Sequence, residues 1–301
     1  DLKSEPGKRA VLDLLKKADV VVENFSPGTM DRLGLGYEEI RAINPRIVYA
    51  SSSGFGSEGP YKSYPAMDLT VQAISGVMAT TGFPDRPPVK AGPALCDFFA
   101  GIHLHSAIMT ALFDRERTGE SRRVEVSMQD AVYASLSSSL GMHWGGMNAG
   151  VPYRTGNRHG GLAESPYNVY PAAEGWVAII CVRDEHWRAL MRVLGREDLL
   201  EDPRFQGLSA RVKNMELVDD IVGEWTRTLD RDEIFQKLIA AKVPCAPVRE
   251  LEEVIHDANM HVRGSLQYQD HPELGRIIVQ QTPLRFQGLD LVDIEPSHRL
   301  G

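Results

Sequence analysis

A chain of 301 residues, 43% hydrophobic and 25% charged, can bury one large or two ordinary cores and has the composition of a globular protein. Its formal charge of −8, from 33 basic and 41 acidic side chains, argues against nucleic acid as a partner, because gripping a phosphate backbone takes a basic face. The same balance leaves room for a small anionic ligand, which needs only a few local cations.

The first predicted element is a helix over residues 6–18, PGKRAVLDLLKKA, with apolar positions at Ala10, Leu12, Leu14 and Leu15 and Pro6 near the first turn. Asp19-Val20-Val21-Val22 follows as a short β-branched run, the pattern of a buried parallel strand. The chain turns out through Glu23-Asn24-Phe25-Ser26-Pro27-Gly28. Helical spacing resumes at Met30–Leu33 and at Tyr37–Ile43, closed by Asn44-Pro45. Ile47-Val48-Tyr49-Ala50 is a second strand running into Ser51–Gly56. This alternation predicts an α/β fold on a parallel sheet, whose ligands bind at the loops leaving the strands' carboxyl ends. The turns after Val22 and Ala50 are such loops.

Leu69–Met78 reads as a helix and Thr80–Arg86 as a loop. Between Pro87 and Glu120 lies the most apolar helix of the chain, Phe98–Phe113, closed by Asp114–Arg117 and stopped at Thr118-Gly119. Asp97 stands at its start and reads two ways. As an N-cap it would accept amide hydrogens of the first turn and sit on the positive end of the helix dipole. As a carboxylate nucleophile it would have a rigid mount walled by Cys96, Phe98 and Phe99, with Ala94, Ala100 and Gly101 small enough for close approach. Both readings can hold at once.

Val124–Met128 is a third strand, followed by a helix from Gln129 to Met142. Gly145–Gly161 is glycine-rich and polar, hence a linker or loop. Beyond it Tyr167–Tyr170 and Trp176–Ile180 form a hairpin, and helices are predicted over Asp184–Leu194, Ala210–Thr228 and Arg231–Ala241, the last behind the cap Asp230. Cys245–Val248 and Leu251–Ile255 lead into residues 260–301, which read as extended around Ile277-Ile278-Val279. The expected division is a large α/β domain over 1–148, a linker over 149–165, a smaller α+β domain over 166–258, and a returning linker and strand over 259–301.

Several familiar signatures are missing from the chain. Gly34-Leu35-Gly36 is too short for GxGxxG and follows no strand, and Walker A, GxSxG and HExxH motifs are absent. His103 and His105, two residues apart on a helix, cannot chelate one metal. Cys96, Cys181 and Cys245 are widely spaced and odd in number, which speaks against zinc ribbons and disulfide frameworks and for reduced thiols in the cytoplasm. No stretch is read as a membrane span, and no signal peptide opens the chain. The opening DLKSEPGKRA has no initiator Met and reads as a start inside a longer protein.

The blocks ADVVVENFSPGTMDRLGLGYEEI, NPRIVYASSSGFGSEGPY, DLTVQAISGVMATTG, ALCDFFAGIHLHSAIMTAL and RERTGESRRVEVSMQDAV resemble, in order and spacing, those of the class III CoA-transferases. That family includes formyl-CoA transferase and carnitine CoA-transferase, with α-methylacyl-CoA racemase as a relative. PCAPV and GRIIVQQTPLRF continue the likeness across essentially the whole chain. The resemblance implies a Rossmann-like large domain, a small domain joined by long linkers, and a homodimer of interlocked rings. It implies that Asp97 is the catalytic aspartate. It places coenzyme A contacts at Asn24 and Phe25, at Arg32, and along Pro65, Ala66, Met67 and Asp68, with Gly160-Gly161 as the counterpart of an acyl-pocket loop. Four of these have a plainer reading: an Asx turn for Asn24, a solvated charge for Arg32, a helix cap for Asp68, and linker for the glycine pair.

The implied reaction carries coenzyme A from an acyl-CoA to a free carboxylic acid through mixed anhydrides and an aspartyl-CoA thioester, with coenzyme A as co-substrate and no metal or redox cofactor. Its oxyanions need amide donors, for which the helix start beside Asp97 and Gly160-Gly161 are the candidates. Racemisation next to the thioester is the alternative. The racemase branch uses a His-Asp pair where this chain has Met67-Asp68, and methionine takes no proton. A further alternative is an inactive chain, since family members carry a strand–helix unit before this start and a helix after this end.

Overall fold

The computed structural model describes residues 1–145 and 152–297, so part of the expected linker (149–151) and the last residues of the expected return strand (298–301) lie outside the described residues. The chain packs as two compact units, Asp1–Asn168 with Pro203–Met215, and Val169–Asp202 with everything from Glu216 onward. Residues 203–215 belong with the first unit because Arg211, fully buried, donates from Nε to the Ser165 carbonyl (3.0 Å) and from Nη1 to the Phe205 carbonyl.

In the first unit, β1 (Val20–Glu23), β2 (Val48–Ser53) and β3 (Arg123–Ser127) form a parallel sheet in the order β1-β2-β3, with Val22 beside Ala50 and Ala50 beside Val124. Alternate residues feed opposite faces. Tyr49 joins Leu15, Met30, Leu35, Ile40 and Ile47 under α1 (Glu5–Leu15), α2 (Thr29–Arg32) and α3 (Tyr37–Ile43). Val126 faces the other way, onto the core of Val71, Cys96, Ala100, Met128 and Val132. That core belongs to α4 (Asp68–Ile74), α5 (Val77–Thr80), α6 (Leu95–Thr118) and α7 (Met128–Tyr133). A helix layer therefore covers each face of the parallel sheet.

Two expected helices are broken. Leu69–Met78 divides into α4 and α5 at Gly76, whose φ of +95° favours glycine. Gln129–Met142 becomes α7, a 3-10 turn and α8 (Ser137–Trp144). The apolar helix, in contrast, is longer than its pattern predicts. With 24 residues α6 is the one helix among the described residues long and apolar enough to cross a membrane, which corrects the reading that no stretch has that length. It packs on the sheet through Cys96, Ala100, Leu104, Ala111 and Arg115. Arg115 ties its far end down, donating to the Arg46 carbonyl and to Asp19 Oδ1, both at 2.9 Å. Gly119, at φ +78°, ends it where the sequence places the stop. Phe98, Ile102, Met109 and Phe113 form a stripe on the opposite face, between 52% and 64% exposed.

The second unit carries a sheet in the order β4 (Tyr167–Pro171), β5 (Trp176–Ile180), β6 (Cys245–Pro247), with Val177 antiparallel to Pro247. Its helices include α9 (Asp184–Leu194), α11 (Met215–Thr226) and α12 (Arg231–Ala240), the last capped by Asp230, whose carboxylate accepts the Asp232 amide hydrogen. The expected helix Ala210–Thr228 is two, α10 (Leu208–Lys213) in the first unit and α11, separated at Asn214. Two short helices, α13 (Leu251–Ile255) and α14 (Ala258–Val262), precede an antiparallel hairpin of β7 (Leu266–His271) and β8 (Gly275–Gln280). The fold is thus α/β, a Rossmann-like parallel-sheet unit with a smaller α+β unit.

Candidate active site

The carboxyl ends of β1 and β2 open into a cleft of about 530 Å³, and its lining draws on the turn after β1, the loop after β2, and the first turns of α4 and α6. Asn24, Phe25, Ser53, Tyr64, Ala66, Met67, Asp68, Asp97 and Gly101 face it. The turn after β1 is held by Glu23, whose Oε2 accepts the Phe25 amide hydrogen at 2.9 Å. Asn24, between them, lines the cleft.

Asp97 is not the N-cap of α6. Ala94 occupies that position and has no side chain to accept a hydrogen bond, while Asp97 is the third residue of the helix. The acceptor comes from another element. Asp68, the first residue of α4, takes the Cys96 amide hydrogen on Oδ1 at 2.9 Å and reaches that of Asp97 at 3.4 Å. Its Oδ2 accepts from Gln72 Nε2 at 2.6 Å. With the cap supplied from α4, the Asp97 carboxylate makes no hydrogen bond among the described residues and is left facing the cleft.

Its surroundings push the Asp97 carboxyl above its ordinary value of 3.8, first by partial desolvation and second by the charge of Asp68. A more basic carboxylate is a better nucleophile. Cys96 beside it is buried, and desolvation, with Asp68 and Asp97 adding to it, pushes that thiol up to about 11. A thiol so raised holds almost no thiolate at neutral pH, which leaves Asp97 as the ionised group at this point of the cleft. Phe99 packs into the core beneath Asp97, whereas Phe98, expected as a wall of the site, is 63% exposed on the opposite face of α6.

Three of the expected contacts are not part of the cleft lining. Arg32 ends α2 with its Nη2 on Thr29 Oγ1 (2.8 Å), outside the cleft lining, and Pro65 is passed over between Tyr64 and Ala66. Gly160 and Gly161 rest against Ser138 and Ser139 of α8, not against Asp97. Three of the expected amide donors are engaged as well. The Cys96 and Asp97 amides point at Asp68, and Gly161 donates to His159 Nδ1 at 3.1 Å. Sequence reading missed Gln72, a fully buried polar side chain four residues after Asp68. That i,i+4 spacing on a helix was the available signal.

The family model described as CoA-transferase family III matches residues 1–297. The chain is 35% identical over 312 residues to a formyl-CoA:oxalate CoA-transferase of Streptomyces avermitilis, covering 99% of this chain and 76% of that protein. It is 37% identical over 302 residues to an acetyl-CoA:oxalate CoA-transferase of Acetobacter aceti, covering 100% of this chain and 74% of that one. Among solved structures, a CAIB/BAIF family protein from Brucella suis superposes with a TM-score of 0.84 at 33% identity, over 100% of this chain and 77% of that chain.

Proposed function

This chain belongs to CoA-transferase family III, and from that premise we propose that Asp97 is the group on which its transfer of coenzyme A turns. The observation that carries the reading is an unbonded carboxylate with a raised pKa, fixed at the start of a rigid helix and facing a cleft at the carboxyl edge of the sheet.

An Asp97 oxygen attacks the thioester carbonyl of the donor, the C–S bond breaks, and coenzyme A leaves as thiolate, giving a mixed anhydride. The thiolate then attacks the Asp97 acyl carbon and expels the donor acid, forming an aspartyl-CoA thioester. An acceptor carboxylate attacks that thioester and releases the thiolate. The second anhydride is finally opened by the thiolate at the acceptor's carbonyl, which forms the new acyl-CoA and frees Asp97. Holding the reacting groups in line replaces bimolecular encounters with intramolecular ones. Asn24, Phe25, Ala66, Met67 and Asp68 line the route coenzyme A takes, with Arg32 and Pro65 flanking it. Coenzyme A is a co-substrate in this scheme, which uses no metal or redox cofactor. Small carboxylic acids, oxalate among them, are the first acceptors to try, by analogy with the relatives' names. Met67, exposed at the cleft beside Asp68, offers no group for the proton transfers of a racemase.

The working form is a homodimer, interlocked as the family resemblance implies. The exposed apolar stripe on α6 supports association with a second copy. A cytoplasmic setting fits three free cysteines, two of them buried.

The test is a panel of acyl-CoA donors with hydroxylamine present, followed by peptide mass mapping. A hydroxamate at Asp97, and no turnover with coenzyme A binding retained in Asp97→Ala, is the expected result. A label on another residue, or near-native transfer by Asp97→Ala, would sink the assignment.

A further inference from the structure

We infer that Gln72 is a positioning residue for Asp97, holding the Asp68 carboxylate on the amides that open α6. The inference rests on the reading of Asp97 as the group that becomes acylated.

Gln72 is fully buried on α4, one helical turn beyond Asp68. A buried primary amide is costly unless its donors and acceptor are used, and here they are. Nε2 donates to Asp68 Oδ2 at 2.6 Å and reaches the Pro93 carbonyl at 3.4 Å, while Oε1 accepts the Ala91 amide hydrogen at 2.9 Å. These contacts go to two places that matter for one side chain. The first is the carboxylate that caps α6 in place of the capless Ala94. The second is the segment 91–93, which delivers the chain into α6.

A satisfied core glutamine needs neither destination. Gln72 joins both, and so removes two ways in which the first turn of α6 could shift. Without it, Asp68 Oδ2 loses its short bond and the carboxylate can rotate off Cys96 and Asp97. The Ala91 amide is stranded in the same step. The first turn would then carry uncapped amides, and Asp97, its third residue, would move with it.

The test compares Gln72→Leu, Gln72→Glu and Asp97→Asn in the whole protein. It uses whichever acyl-CoA in the panel labels wild-type Asp97 most strongly. The readouts are kcat, KM, the rate of hydroxamate formation at Asp97, and thermal unfolding. Gln72→Leu should lower kcat and the labelling rate by about 10- to 100-fold, the cost of misplacing a reacting group by roughly an ångström, and leave KM within about threefold. Gln72→Glu sets a second carboxyl against Asp68. Protonated, it donates as the amide does; ionised, it repels. Its kcat relative to wild type should therefore recover as pH falls from about 8 towards about 5.5, in the range where a carboxyl raised by a like-charged neighbour takes up its proton.

A packing role alone predicts losses that follow the melting temperature, with no recovery at low pH, and that result overturns the inference. So does wild-type kcat in both Gln72 variants. Should Gln72→Leu fail to fold, the pH series of Gln72→Glu decides. Turnover by Asp97→Asn would instead overturn the parent reading, whereas a dead Asp97→Asn beside wild-type Gln72 variants removes only this inference.

Discussion

Two carboxylates share the cleft at the first turn of α6: Asp68 accepts its amides, and Asp97, the proposed nucleophile, is left facing the open space. Desolvation, and then the charge of Asp68, holds the Asp97 carboxyl above 3.8, and the proposed attack needs the ionised form. The transfer rate should therefore fall as pH drops through that raised value. In Asp68→Asn the second cause is gone and the acid limb of the kcat–pH profile should move to lower pH. An unmoved limb would show that the two groups are not coupled. The same shift has a stability side. A carboxyl whose folded pKa is raised contributes stability that is fully present below the unfolded pKa and lost as pH rises through the folded one. At neutral pH Asp97 is thus a liability to the fold, and Asp97→Asn should melt above wild type at pH 7, with the difference vanishing in acid below about 3.9. Next to it, Cys96 at about 11 should react slowly with iodoacetamide, so that treated enzyme keeps its transfer rate.

At the scale of elements, α6 is the mount, and its two ends are fixed differently. Arg115, 7% exposed, binds the Arg46 carbonyl and Asp19 where β1 and β2 begin. Arg115→Met keeps the apolar stem but removes those bonds, and with Asp19 open to water the loss should be about 1 kcal/mol in urea unfolding. Gly119→Ala meets open space yet must hold φ near +78°, so about 1 kcal/mol is expected from backbone strain alone. Much of this architecture was legible in the sequence. The β-branched run at Val20–Val22 and the apolar strand Ile47–Ala50, alternating with helical spacing, announce a parallel sheet and place the cleft at its carboxyl edge. The origin of the helix cap was not legible, because Asp68 reaches Cys96 across 28 residues of chain and local spacing carries no trace of that contact. The break at Gly76 was masked by an apolar run that continues through it. At Gly160-Gly161 the sequence carried no sign of the neighbours, Ser138 and Ser139, that the pair lies against.

For the molecule as a whole, α6 is apolar on two faces and only one of them meets the sheet. If a second copy covers the other, Ile102→Glu combined with Phe113→Glu should shift sedimentation equilibrium towards the monomer, whereas exposed polar changes on α9 should not. A helix that completes its burial only against another chain also makes conformational stability a mass-action quantity. Melting should then rise with protein concentration instead of staying fixed, and simple dilution should begin to loosen the same helix turn that aims the reactive carboxylate. Specific activity would decline in very dilute assays without any change of pH, temperature or substrate. The subunit would be assembling its own catalytic geometry as it finds its mate.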